Sequence, residues 1–180
     1  MLVAREKRKT NIAEYILYMW QVEDLIRACS FNRAVIENQL VQRFNAEGDL
    51  RKEIADWYNN LALMMENEHI QEKGHMQVVI NLLNDLSEFH LKMLEVQKDQ
   101  EYVRLYSMNR VAISEIVEKS GNNPVSEVEA CLNALYGYMM LRIKKSEISS
   151  LTQQTIEGFS RMIGHLSARY IQFENDDFEF

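Results

Sequence analysis

The sequence predicts an all-α fold, a compact bundle of six to seven mostly antiparallel helices. Apolar residues recur at three- and four-residue spacing along nearly the whole of the 180-residue chain. Helix breakers are scarce, with Gly 6 and Pro 1. Only Gly121-Asn122-Asn123-Pro124 gathers them into a cluster, which leaves no tight turns to join the strands of a sheet. With 47% hydrophobic content the chain can bury roughly two-thirds of its unfolded surface, enough for one core. A single domain over residues 1–173 is expected, with 174–180 an acidic, aromatic tail that frays.

The stretch 11–28, NIAEYILYMWQVEDLIRA, is the one the rest is expected to pack around. On a helical wheel Ile12, Tyr15, Ile16, Tyr18, Met19, Val22, Leu25, Ile26 and Cys29 cover about half the circumference, and Leu17 and Trp20 spill onto the far side. A helix with so little polar surface needs neighbours on more than one side. Asn11-x-x-Glu14 has capping-box spacing for its start, although nothing in 4–10 forbids an earlier one.

Phe31, Asn32 and Ile36 fit a hydrophobic staple around an Asn cap, opening a short helix that ends near Asn45. After Gly48, the repeat Leu50, Ile54, Trp57, Leu61, Met64 predicts a third helix, with Lys73 and Gly74 as its C-terminal signal. Met76, Val79, Leu83, Leu86, His90 and Met93 form the next stripe. Asp99 is a candidate cap for a further helix carrying Tyr102, Tyr106, Asn109, Ile113 and Ile116, so 76–119 reads as two helices or as one bent helix. Either Asn123 with Pro124 at the first helical position or the box Ser126-x-x-Glu129 starts the following helix. Ser150-x-x-Gln153 opens the last one, whose stripe runs Ile156, Phe159, Ile163, Leu166, Tyr170, Phe173. Each helix is expected to hold about twenty residues or fewer.

A formal charge of -7 repels a phosphate backbone, and the basic cluster Arg5, Lys7, Arg8, Lys9 reads as a solvated helix start, so no nucleic-acid partner is expected. No run approaches the roughly 18 uninterrupted apolar residues of a membrane span, and the opening lacks the apolar core of a secretory signal. Cys29 and Cys131 are too few for a disulfide framework and fall among apolar positions. A soluble, cytoplasmic protein without membrane contact is the expectation.

Candidate chemistry is thin. Glu66-x-x-His69 and Glu72-x-x-His75 have the spacing of di-iron ligand pairs, but both crowd one helix end instead of lying on two helices, and a polar helix terminus is the better reading. His69 and His75 could otherwise hold adventitious zinc or nickel at the surface. His90 occupies an apolar stripe and needs a hydrogen-bond partner as a satisfied core histidine; His165 reads the same way. Glu23, Asp24 and Arg27 put three charges on the most apolar helix, with Glu23 and Arg27 in the favourable i to i+4 order. An internal ion-pair network is favoured there, and a pocket, if one exists, would gather Tyr15, Trp20, Glu23, Asp24, Arg27 and His90. Glu115-x-x-Glu118 lacks the downstream acidic partner of a magnesium site. No P-loop, dinucleotide motif, paired-Cys zinc site or nucleophile elbow is present. No catalytic residue, metal ligand or cofactor is assigned. Ser160, Gly164 and Ala168 make a small-residue ridge suited to a close helix approach.

The opening, with EKRKTNIAEYILYMWQVEDLIRA as its most specific part, resembles an uncharacterised family of helical proteins from Bacteroides-type bacteria, classed as a domain of unknown function. The resemblance implies a cytoplasmic, all-helical bacterial protein and brings no activity or site residue with it. Met 10, Tyr 8, Phe 7 and Trp 2 exceed what a small core needs, which leaves a surplus for an interface. The expected role is a non-enzymatic protein-interaction or structural module whose partner is another protein or itself, as a homo-oligomer. The alternative is a small-molecule-binding or metal-dependent hydrolytic bundle using the pocket residues above.

Overall fold

The computed structural model describes residues 2–121 and 125–179. The described residues form eight α-helices and one 3-10 turn, with no strand: α1 (Leu2–Thr10), α2 (Ile12–Ala28), α3 (Arg33–Gln39), the 3-10 turn (Val41–Phe44), α4 (Gly48–Asn67), α5 (Gln77–Val96), α6 (Gln100–Lys119), α7 (Glu127–Ile143) and α8 (Ser150–Glu174). The all-α class holds. The count of six to seven does not, because the stretch ahead of Asn11 is a helix of its own. Asn11 interrupts the two helices. Its side-chain carbonyl accepts from the Ser167 hydroxyl at 2.8 Å, and the Ser167 Oγ in turn accepts the Ala13 N–H at 3.2 Å, satisfying a donor that the start of α2 leaves open.

Caps fix most boundaries. Asn32 accepts from the Ala34 and Val35 N–H groups, Asp99 from Tyr102 N–H and Ser126 from Glu129 N–H. Gln97 adopts φ 52° just before Asp99, so 76–119 is two helices and not one bent rod. The alternative start at Asn123 and Pro124 lies outside the described residues. Two expectations shift. Ser149, not Ser150, caps α8, which at 25 residues is longer than expected. The third predicted helix ends well before Gly74. His69 takes the left-handed position at φ 56°, and Ile70 N–H and His69 N–H close back on the Met65 and Glu66 carbonyls. This is the paired bonding of a Schellman cap, here without glycine.

The chain divides into two compact units, Met1–Arg8 with Glu14–Asn81, and Lys9–Ala13 with Leu82–Phe180. In the first, α2 is buried or half-buried along its length, leaving only Glu14, Asp24 and Ala28 exposed. Ile16, Met19, Trp20, Val22 and Ile26 are buried, as are Ile36, Tyr58, Leu61, Met65 and Met76 of this unit. Each such side chain contributes roughly 1.5–3 kcal/mol by leaving water. Tyr18 stacks on Trp57 at 6.5 Å, and Trp57 meets Tyr58 edge-on at 4.9 Å.

In the second unit α6 and α8 run antiparallel: Asp99 at the head of α6 bonds His165 and Arg169 of α8, while Asn109 further along donates to Gly158 O at 3.4 Å. Gly158 makes this approach feasible, since a Cβ there would fall 2.2 Å from Asn109 Oδ1. Phe159, Met162, Ile163 and Leu166 of α8 are buried, as are Leu86, Tyr102, Ile113, Cys131 and Leu132. Beyond α8, Phe178 lies against Phe89 at 6.2 Å and under the Arg169 guanidinium at 5.6 Å.

Candidate functional site

Four of the six anticipated pocket residues come together on α2. Trp20 is buried and stacks on the His75 ring at 4.6 Å. Glu23 is 0% exposed; its Oε2 lies 2.6 Å from His75 Nδ1 and its Oε1 accepts the Met76 N–H at 2.9 Å. A buried carboxylate is tolerable only with such partners. Arg27 does not take Glu23 at i to i+4; it pairs with Asp24 Oδ1 at 2.9 Å and donates to the carbonyls of Ile70 and Gly74. Of the three charges, Glu23 and Arg27 thus grip the loop between α4 and α5, while Asp24 pairs with Arg27. Tyr15 is half-buried, and burial pushes its phenol up against the opposing charge of Arg8.

His90 belongs to a cluster of the second unit. Its Nδ1 lies 2.5 Å from the Tyr102 hydroxyl and its Nε2 3.0 Å from Glu127, whose other oxygen accepts from Tyr106 at 3.0 Å. Burial lowers the His90 pKa, with Glu127 opposing. A neutral ring carrying its proton on Nε2 satisfies both contacts, with Tyr102 donating to Nδ1. Burial raises the Tyr102 and Tyr106 phenols and pushes the Cys131 thiol up to about 12, so that sulfur stays protonated and inert.

A third cluster opens on a cavity. Asp99 Oδ2 lies 2.8 Å from His165 Nε2 and 2.6 Å from Arg169 Nε, while Oδ1 caps α6. Burial works to raise this carboxyl, but hydrogen bonds from His165, Tyr102 N–H and Arg169 outweigh it and hold the pKa down at about 2. His165 lines a groove of about 760 Å³ between α6 and α8, together with Arg104, Leu105, Met108, Leu151 and Arg161. Of these, Met108 and Leu151 are 70 and 73% exposed. A second cavity of about 460 Å³ shares Leu151 and reaches Tyr138 and Leu141 of α7. Glu101 and Arg104 form a bidentate pair at 2.6 and 2.8 Å on the groove wall.

Sequence reasoning had Asp99 only as a cap and His165 only as a core histidine. The available signal was the four-residue spacing of Glu157, Arg161, His165 and Arg169, a polar stripe beside the apolar one on α8. The ridge Ser160, Gly164, Ala168 is not where α6 and α8 meet, since Ser160 and Ala168 are exposed and a Cβ on Gly164 would meet nothing within 4 Å.

Among the described residues no group of three His, Cys, Asp or Glu could hold a metal ion, and no helix is long and apolar enough to cross a membrane. The chain belongs to the family described as Domain of unknown function (DUF4924), whose model matches residues 1–177. No curated protein and no solved structure matches it.

Proposed function

We propose that this member of the DUF4924 family is a non-enzymatic protein-interaction module that docks its partner on the face built by α6 and α8. One observation carries the reading. Met108 and Leu151 leave most of their apolar surface to water in the lining of a groove of about 760 Å³, where an isolated domain would gain by covering them. Charged side chains rim this apolar centre, which is the anatomy of a protein interface. A bacterial, cytoplasmic setting belongs to the same proposal; the two free, buried cysteines and the resemblance of the opening support it. The test is photocrosslinking in cells with benzoylphenylalanine replacing Met108 or Leu151 and, as control, exposed Lys52. Adducts to one defined protein, identified by peptide mass and absent from the control, are expected. No adduct at either groove position would sink the reading.

A second reading, small-molecule binding beside α2, is supported by the orientation of His75. Fully buried Glu23 fixes its Nδ1 while the side chain stays 35% exposed. A saturable rise in melting temperature with zinc or a nucleotide, abolished in His75→Ala, would support it.

A further inference from the structure

We propose that the occupant of the α6–α8 groove is a second copy of this chain, bound across a two-fold axis that sets Glu157 of each protomer against Arg161 of the other. The proposal deepens the docking reading above and rests on it.

Glu157 and Arg161 both line the groove, four residues apart on α8, yet among the described residues neither has a hydrogen-bond or ion-pair partner. The i to i+4 order would suit a pair within the helix, so the two charges stand available to a partner. A two-fold axis between them turns α8 antiparallel to its copy, which places glutamate opposite arginine twice from a single pair of residues. The remaining charge on the wall is already cancelled, Glu101 by Arg104. Local neutrality matters because each chain carries -7, so a face free of net charge adds no repulsion of its own when two copies approach.

Shape agrees. The same axis passes over the Asn109–Gly158 contact, where the missing Cβ keeps α8 low, and brings exposed Met108 toward Met108 of the other copy. Gly164 lies beside the charged stripe with open space over its Cα, so a second helix can come close. An unrelated partner would require none of this self-complementarity.

Light scattering on the purified full chain, from low micromolar to hundreds of micromolar, is the test. The wild type is expected to pass from one to two copies of the 21.2 kDa chain as concentration rises. Glu157→Arg and Arg161→Glu each set like charges together twice and should remain single copies with unchanged helicity. Mixed in equal amounts, the two variants should recover the double mass, since each then offers what the other lacks. A wild type that stays a single copy throughout, single variants that associate like the wild type, or a mixture that fails to recover would each overturn the two-fold arrangement. Photocrosslinks from Met108 to some other protein would, in that event, leave the docking reading standing, whereas their absence would remove both.

Discussion

Asp99, the cap of α6, holds the His165 ring of α8 at 2.8 Å and thereby ties the two walls of the groove together at one end. Arg169 shares the same carboxylate oxygen at 2.6 Å. Its low pKa makes this tie dependent on pH.

The Asp99 carboxyl sits at about 2 in the folded chain against an ordinary 3.8, so the folded state prefers the ionised form. The stability this contributes is complete above about pH 4 and is lost as pH falls through the folded value near 2. A shift of this size corresponds to about 2 kcal/mol. Asp99→Asn should therefore be less stable than wild type by about 2 kcal/mol at neutral pH. Urea midpoints of both proteins measured down to about pH 2 should converge, and a constant gap would refute the assignment.

Glu23 serves as a latch for the α4–α5 loop. Replacing it with Ala strands the Met76 N–H and frees His75 from its partner, at a cost of roughly 3 kcal/mol. Amide exchange at Met76 should accelerate more than at Val79, which keeps its bond to the Met76 carbonyl. In a Trp57→Phe background, the emission of Trp20 should also change on His75→Ala, because the stacked ring is gone. Unaltered Met76 exchange in Glu23→Ala would contradict the latch.

Gly158→Ala should destabilise by about 2 kcal/mol, since its Cβ would fall 2.2 Å from Asn109 Oδ1. Asn109→Ala removes the obstacle while losing the bonds to Leu105 O and Gly158 O. The double variant should then be more stable than the sum of the two single costs, a coupling readable in a denaturation cycle. Additive costs would place the strain elsewhere.

His90 should titrate below the ordinary histidine value of 6.5 in NMR, with burial as the cause. A depressed value means that the unfolded chain takes up the proton first. Stability from this group is whole above about pH 6.5 and declines as pH drops towards the lowered folded value. A ring that titrates above 6.5 would instead show that the Glu127 charge outweighs burial.

Much of the architecture was legible because it is local. The central, mostly covered position of α2 follows from its own apolar wheel, and Asn32, Asp99 and Ser126 announced three helix starts by side-chain chemistry alone. The misses have physical causes too. His69 closes α4 in a left-handed conformation that composition assigns to Gly74, because glycine is only the easiest residue there and not the required one. Asn11 was read as a cap and is also a break, a distinction made by Ser167 far along the chain.

What the sequence by itself determined is the helical class, the near-absence of breakers and the inward face of most helices, since these depend on neighbours three and four residues away; on α4 the buried face is Ile54, Tyr58, Leu61 and Met65, and Leu50 and Met64 of the expected stripe are exposed. Only the tertiary structure decided the partners of the polar groups: Glu23 with His75, Arg27 with the carbonyls of a loop, His165 with Asp99, Asn109 against Gly158. The reason is physical. A charged side chain bonds whatever the packing register of another helix brings within about 3 Å, and that register is set by the summed fit of apolar surfaces, which no single stretch of sequence encodes.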